Sequence, residues 1–173
     1  MKINYTPGPL LDASRTTPTA LWNDSADLDE LRQSIAFGGV GATCNPVIGY
    51  TTIKKHPDIW EDRIRAIAEN NPTWGESQIG WQAIKDMSVE AAKLLEPIFV
   101  EQPKHPGVAH YLIHSYDYAP MAHHAIDAAN KYAAIAPAAP HALHMPAHIY
   151  SMIGMWEDSV KTDRKSTRLN SSH

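Results

Sequence analysis

Hydrophobic and polar positions alternate in two different regimes along the chain. Residues 19–25 (TALWNDS) form a short apolar run that turns polar, the pattern of a buried strand. From Asp27 the apolar positions shift to helical spacing at Leu28, Leu31 and Ile35. Acidic Asp27, Asp29 and Glu30 occupy the first turn, where the helix dipole favours them, and Gly38 and Gly39 mark the end. Residues 40–46 (VGATCNP) read as a second strand. Strand, helix and strand joined by short connections predict a parallel βαβ unit. Residues 57–70 predict a helix that opens on Pro57 and carries Ile59, Trp60, Ile64 and Ile67. A further stripe at Ile79, Ala83, Met87, Ala91 and Leu94 or Leu95 predicts a helix closing at Pro97, because proline disfavours the helical state of its predecessor.

Residues 100–107 (VEQPKHPG) are too polar and too rich in proline for a central strand, so 100–106 is expected to be a junction. Beyond it the usage shifts to Ala, His, Met and Tyr and the period is helical. His110, His114 and Tyr116 recur 34 residues later as His144, His148 and Tyr150, an internal repeat. Between them, residues 121–136 offer Ala122, Ile126, Ala129 and Ala133 along one face, and Pro146 must start or kink its helix. The expected architecture is mixed: an incomplete (β/α) barrel start, βαβ plus helices, over 19–99, then an α-helical repeat-like segment over 107–163, mainly α overall. Residues 1–18 and 164–173 are expected to be a disordered lead-in and tail, the latter for its single apolar residue and lack of periodicity.

Bulk chemistry narrows the function. Fifteen Lys and Arg against nineteen Asp and Glu give a formal charge of -4, with no basic surplus to attract a nucleic acid. The single cysteine, Cys44, excludes an internal disulfide framework and is what a reducing compartment permits, so a cytoplasmic location is expected. Prolines and charges interrupt the first seventeen residues, and no later stretch has the length of a membrane span, so neither export nor a membrane partner is expected.

Two groups of residues carry candidate chemistry. Asp24 and Asn45 lie at the carboxyl ends of the two strands, where a parallel barrel places its catalytic groups; a carboxylate there can move a proton and an amide can hold an oxygen. Equally, Asp24 can cap the following helix and Asn45 the turn at Pro46. The second group is histidine. Eight of the ten lie between His105 and His148. His110 and His114 share a helix face at four-residue spacing, and His144 and His148 repeat that spacing. This is the separation at which two imidazoles reach one transition metal such as zinc. Asp117 lies one turn further on, able to ligate or orient, whereas Tyr111 stands where an HExxH motif needs glutamate. The other reading is that these histidines pack between stacked helices and bond one another or the backbone.

The wording around the strands, LWNDSADLDELRQSI followed by GGVGATCNPVI, resembles the transaldolase family over about residues 19–99. The resemblance implies a (β/α) barrel that transfers a dihydroxyacetone unit between sugar phosphates through a Schiff base, with Asp24 and Asn45 in the active site. Cys44 departs from the family's Ser or Thr, and Val47 from its small residue. The nucleophilic lysine of the family lies on a fourth strand and a glutamate on a third. Neither strand is legible here, and no lysine occupies an apolar strand end, so the chain is expected to be inactive as a transaldolase.

The stretches HPGVAHYLIHSYD and PHALHMPAHIYSMIGMWED resemble bacterial tetratricopeptide-repeat-like proteins over about residues 105–161, which implies a helical scaffold that binds a protein partner. The closing run RKSTRLNSSH resembles translated sequencing-adapter read-through. Together the resemblances describe two unrelated partial segments joined near residue 100.

Overall fold

The computed structural model of the chain describes residues 3–170, and these are mainly helical, with one small parallel sheet. They divide into two compact units, residues 3–94 and 95–170.

In the first unit, helix α1 (Pro9–Thr16) precedes strand β1 (Leu21–Asn23), helix α2 (Leu28–Ala36) and strand β2 (Gly39–Ala42). The strands pair in parallel, Leu21 beside Gly39, Trp22 beside Gly41 and Asn23 beside Ala42, with an irregularity after Leu21. A parallel pair needs a crossover, and α2 supplies it, packing on both strands with Leu31 and Ile35 buried. Gly38, directly after the C-cap residue Phe37, has φ +96°, the left-handed geometry that ends a helix and that glycine adopts without a Cβ penalty. At Gly41 a Cβ would lie 2.8 Å from the Trp22 ring, so the close fit of β2 against the indole requires glycine. Helices α3 (Pro46–Lys55) and α4 (Pro57–Asn70) follow, then α5 (Glu76–Glu101). Trp60, Ala26, Ala83 and Met87 form one buried cluster of this unit, with Cys44, Ile48, Ile53, Ile64 and Ile67 packed against it.

Three expectations change. Within the lead-in expected to be disordered, residues 9–16 are helical. Pro9 suits the first turn, Leu11 is buried, and the Thr6 amide bonds the Ala36 carbonyl at 2.8 Å, so one anchored apolar side chain and a backbone bond order the segment. Helix α5 does not close at Pro97 but continues to Glu101, because Leu95, Ile98 and Phe99 are all buried and their burial outweighs the backbone bond that proline cannot make. Finally, residues 164–170 of the expected tail belong to helix α10 (Trp156–Asn170), where Ser166 is buried; residues 171–173 lie outside the described part.

The second unit contains the end of α5, then α6 (Pro106–Ser115), a 3-10 turn (Ala122–Ala125), α7 (Ile126–Ile135), α8 (Pro140–His144), α9 (Pro146–Met152) and α10. Pro146 opens α9. Helix α6 packs on α7, α7 on α9, and α10 on both α8 and α9. Alanines 109, 122, 125, 128, 129, 142 and 147 are buried at these contacts, small enough to let the helices approach closely.

The 34-residue repeat has a structural counterpart. Buried Tyr116 donates its hydroxyl to Glu96 Oε1 at 2.6 Å, and Tyr150 donates to Asn130 Oδ1 at 2.8 Å. Donors and acceptors are both 34 residues apart, as are Pro106 and Pro140, each the first residue of its helix. The two copies therefore share a fastening bond from a tyrosine back to an earlier helix, α5 for Tyr116 and α7 for Tyr150. No helix among the described residues is long and apolar enough to cross a membrane.

Candidate metal centre

The strand-end residues are held by a helix cap and by a bond between the two strand ends. Asn45 is the N-cap of α3; its Oδ1 accepts from the Val47 and Ile48 amides at 2.9 and 3.0 Å. Asp24 accepts a hydrogen bond from the Thr43 hydroxyl, which ties the end of β1 to the end of β2, and it borders a cavity of about 280 Å³ together with Asp27, Glu30, Ile48 and Lys55.

The strongest electrostatic feature of this unit is Asp27, 6% exposed. Its Oδ1 caps α2 by accepting from the Asp29 and Glu30 amides, and its Oδ2 accepts from Lys55 Nζ at 2.7 Å and His56 Nε2 at 2.8 Å. Burial alone would raise the carboxyl pKa, but the bonds from Lys55, His56 and the two amides outweigh it and hold Asp27 well below the usual carboxylate range. Glu30 bonds the same ammonium at 2.6 Å. Asp27 and Glu30 together raise the Lys55 pKa above its ordinary value and so keep the lysine that borders this cavity protonated. Burial likewise pushes the Cys44 thiol up, against a bond with Ser88, away from thiolate reactivity.

The histidines converge in the second unit. Helix α6 presents His110 and His114 on one face with ring centroids 4.5 Å apart, and the first turn of α8 brings in His141, 5.1 Å from His110 and 6.4 Å from His114. One ligand nitrogen from each of the three lies within 4.8 Å of the others. Desolvation, then the neighbouring His114 and His141 rings, push His110 down to about 4. His114 is lowered by desolvation and by His148 and His141, with Asp117 opposing. Both imidazoles are therefore neutral near pH 7, the form that ligates a metal. His110 Nδ1 lies 2.8 Å from the Tyr132 hydroxyl; donation from Nδ1–H to that oxygen leaves Nε2 its lone pair.

No family model, curated protein or solved structure matches this chain. The reading of the centre therefore rests on its geometry.

Of the four histidines singled out by spacing, the structure brings His110 and His114 together with His141, while His144 and His148 face each other with ring centroids 4.9 Å apart. His114 and His148 are 6.2 Å apart, so the two groups adjoin. His141 was missed because it has no counterpart in the first copy, where Gly107 stands; the available signal was its three-residue spacing from His144. Two nitrogens on one tetrahedral zinc at 2.0–2.1 Å are about 3.4 Å apart. Bringing the three nitrogens from within 4.8 Å to that separation would need side-chain rotation of the His110, His114 and His141 rings.

Proposed function

We propose that the helical unit binds a transition metal ion, zinc in the first instance, through His110, His114 and His141. The observation that carries this reading is the convergence of three imidazole nitrogens from two helices within 4.8 Å. Three histidines suit zinc, which accepts neutral imidazole and tolerates a fourth ligand from water or a bound partner. The repeated helices supply the rigid frame, and by resemblance to tetratricopeptide-repeat-like proteins the unit is a binding module whose metal orders or completes the surface offered to a protein partner. Calorimetric titration of the full chain with zinc tests this. Wild type gives a larger saturable heat than His114→Ala, which lacks the part that comes from the three-histidine centre, and equal heats for the two proteins would sink the proposal.

A second reading concerns residues 3–94. The parallel β1–α2–β2 unit with Asp24 and Asn45 at its strand ends supports the proposal that this segment is the opening of a transaldolase-like barrel that meets a sugar phosphate. On this reading the chain forms no Schiff base. The family's nucleophilic lysine lies on a fourth strand, and the described residues contain two strands; Lys55, the lysine that borders the cavity at the strand ends, is held protonated by two carboxylates.

A further inference from the structure

We infer that the second unit holds a second cation site, formed by the Nε2 atoms of His144 and His148 and separate in its ligands from the His110, His114 and His141 set. His144 Nδ1 lies 2.8 Å from Asp163 Oδ1, and His148 Nδ1 lies 2.8 Å from Asp117 Oδ2. An ionised carboxylate only accepts, so each Nδ1 is the donor. In the form that ligates a metal each ring has one N–H, at Nδ1, which leaves both Nε2 atoms as lone-pair acceptors. These two acceptors face each other at 3.1 Å. Two lone pairs at that distance repel unless a proton or a metal cation lies between them, and 3.1 Å is within a few tenths of the separation of two nitrogens on one tetrahedral zinc.

The surroundings fit a borderline-soft divalent ion. A ligating histidine ordinarily donates its other nitrogen to a carboxylate, which fixes the tautomer and raises ring basicity, and both rings do so here. Asp117 supplies a further observation: its Oδ1 is buried with no hydrogen-bond partner, an uncompensated oxygen that a nearby positive charge offsets. A cavity of about 330 Å³ bordered by Asp117, His144, His148, Ser151, Ser159 and Asp163 gives the ion access and room for water as its remaining ligands. The facing pair spans the Pro146 break. His144 ends α8 and His148 lies in the first turn of α9, and the His144 carboxylate partner comes from α10.

The site belongs to the same unit as the proposed three-histidine centre but rests on different residues, so the two stand or fall separately. The test is zinc binding to the chelator-treated full chain, counted by equilibrium dialysis with zinc in excess. Wild type takes up two equivalents; His110→Ala retains the one at His144 and His148, and His144→Ala retains the other. Asp163→Asn, a change at a half-exposed surface carboxylate that leaves the helices intact, weakens only the second equivalent, by roughly 10- to 100-fold. In the zinc-loaded protein, long-range proton–nitrogen correlation spectra show both Nε2 atoms without hydrogen and both Nδ1 atoms with one. A single equivalent lost in His110→Ala and unaffected in both His144→Ala and Asp163→Asn would overturn the second site and leave the first. A single equivalent lost only in His144→Ala would uphold the second and overturn the first. A proton retained on either Nε2 at saturating zinc would show that a shared proton is the only cation the pair holds, and would overturn the inference.

Discussion

Replacing Asp27 separates two contributions that one side chain makes to the first unit. Asp27→Ala removes the N-cap of α2 and the charged acceptor for His56 and Lys55. A lost cap costs about 1 kcal/mol, and the His56 bond, discounted because that ring is a third exposed, adds about as much. The expected loss is about 2 kcal/mol. Asparagine caps a helix as well as aspartate does, so Asp27→Asn loses only the ionic part, about 1 kcal/mol. Native-state hydrogen exchange reads this at the Leu31 amide, which bonds the Asp27 carbonyl at 3.0 Å in the first turn of α2. Two kcal/mol corresponds to a roughly 30-fold fall in protection.

The same pair of variants has a pH signature. Because the folded-state pKa of Asp27 is depressed, its ionic contribution is complete above the unfolded value of about 3.9 and is lost as pH falls from there through the folded value. Wild type and Asp27→Asn should therefore differ steadily from pH 7 to about 5 and converge in more acidic solution. A change in Leu31 protection under threefold, an Asp27→Asn variant as costly as Asp27→Ala, or a gap that widens in acid would refute the reasoning.

Other consequences follow from single contacts. Gly41→Ala should destabilise the first unit by about 1–3 kcal/mol in urea titrations, because its Cβ meets the Trp22 ring, whereas Gly80→Ala, with open space around it in an exposed turn of α5, should stabilise by about 0.5–1 kcal/mol. Equal effects would contradict the packing argument. Tyr116→Phe and Tyr150→Phe each lose the fastening bond of one repeat copy and should lower the stability of the second unit by about 1 kcal/mol, measured by thermal melting; two silent substitutions would mean that the repeat is held by packing alone. Borohydride treatment with fructose 6-phosphate should leave every lysine unmodified by mass spectrometry, and an adduct on Lys55 would show that the carboxylates around it do not keep it protonated.

Local pattern was enough for the features that depend on neighbours in sequence. The stripe Leu28, Leu31 and Ile35 with Gly38 behind it reports a helix and its end, because helical spacing and a left-handed residue are properties of a few consecutive positions. The four-residue histidine spacing and the 34-residue repeat are likewise visible without coordinates. What pattern could not supply was the partner of a side chain distant in sequence. Asp27 reads as one more acid in a first turn, and only the fold brings His56 and Lys55 to it. Pro97 reads as a terminator, and only the burial of Leu95, Ile98 and Phe99 explains why α5 continues through it. His141 joins His110 and His114, and Asp117 and Asp163 meet His148 and His144, across separations of 19 to 31 residues that no periodicity encodes. Propensity and spacing act within a turn or two of chain. Ligand sets and charge networks are chosen by which helices pack together, and that is decided by the whole core at once.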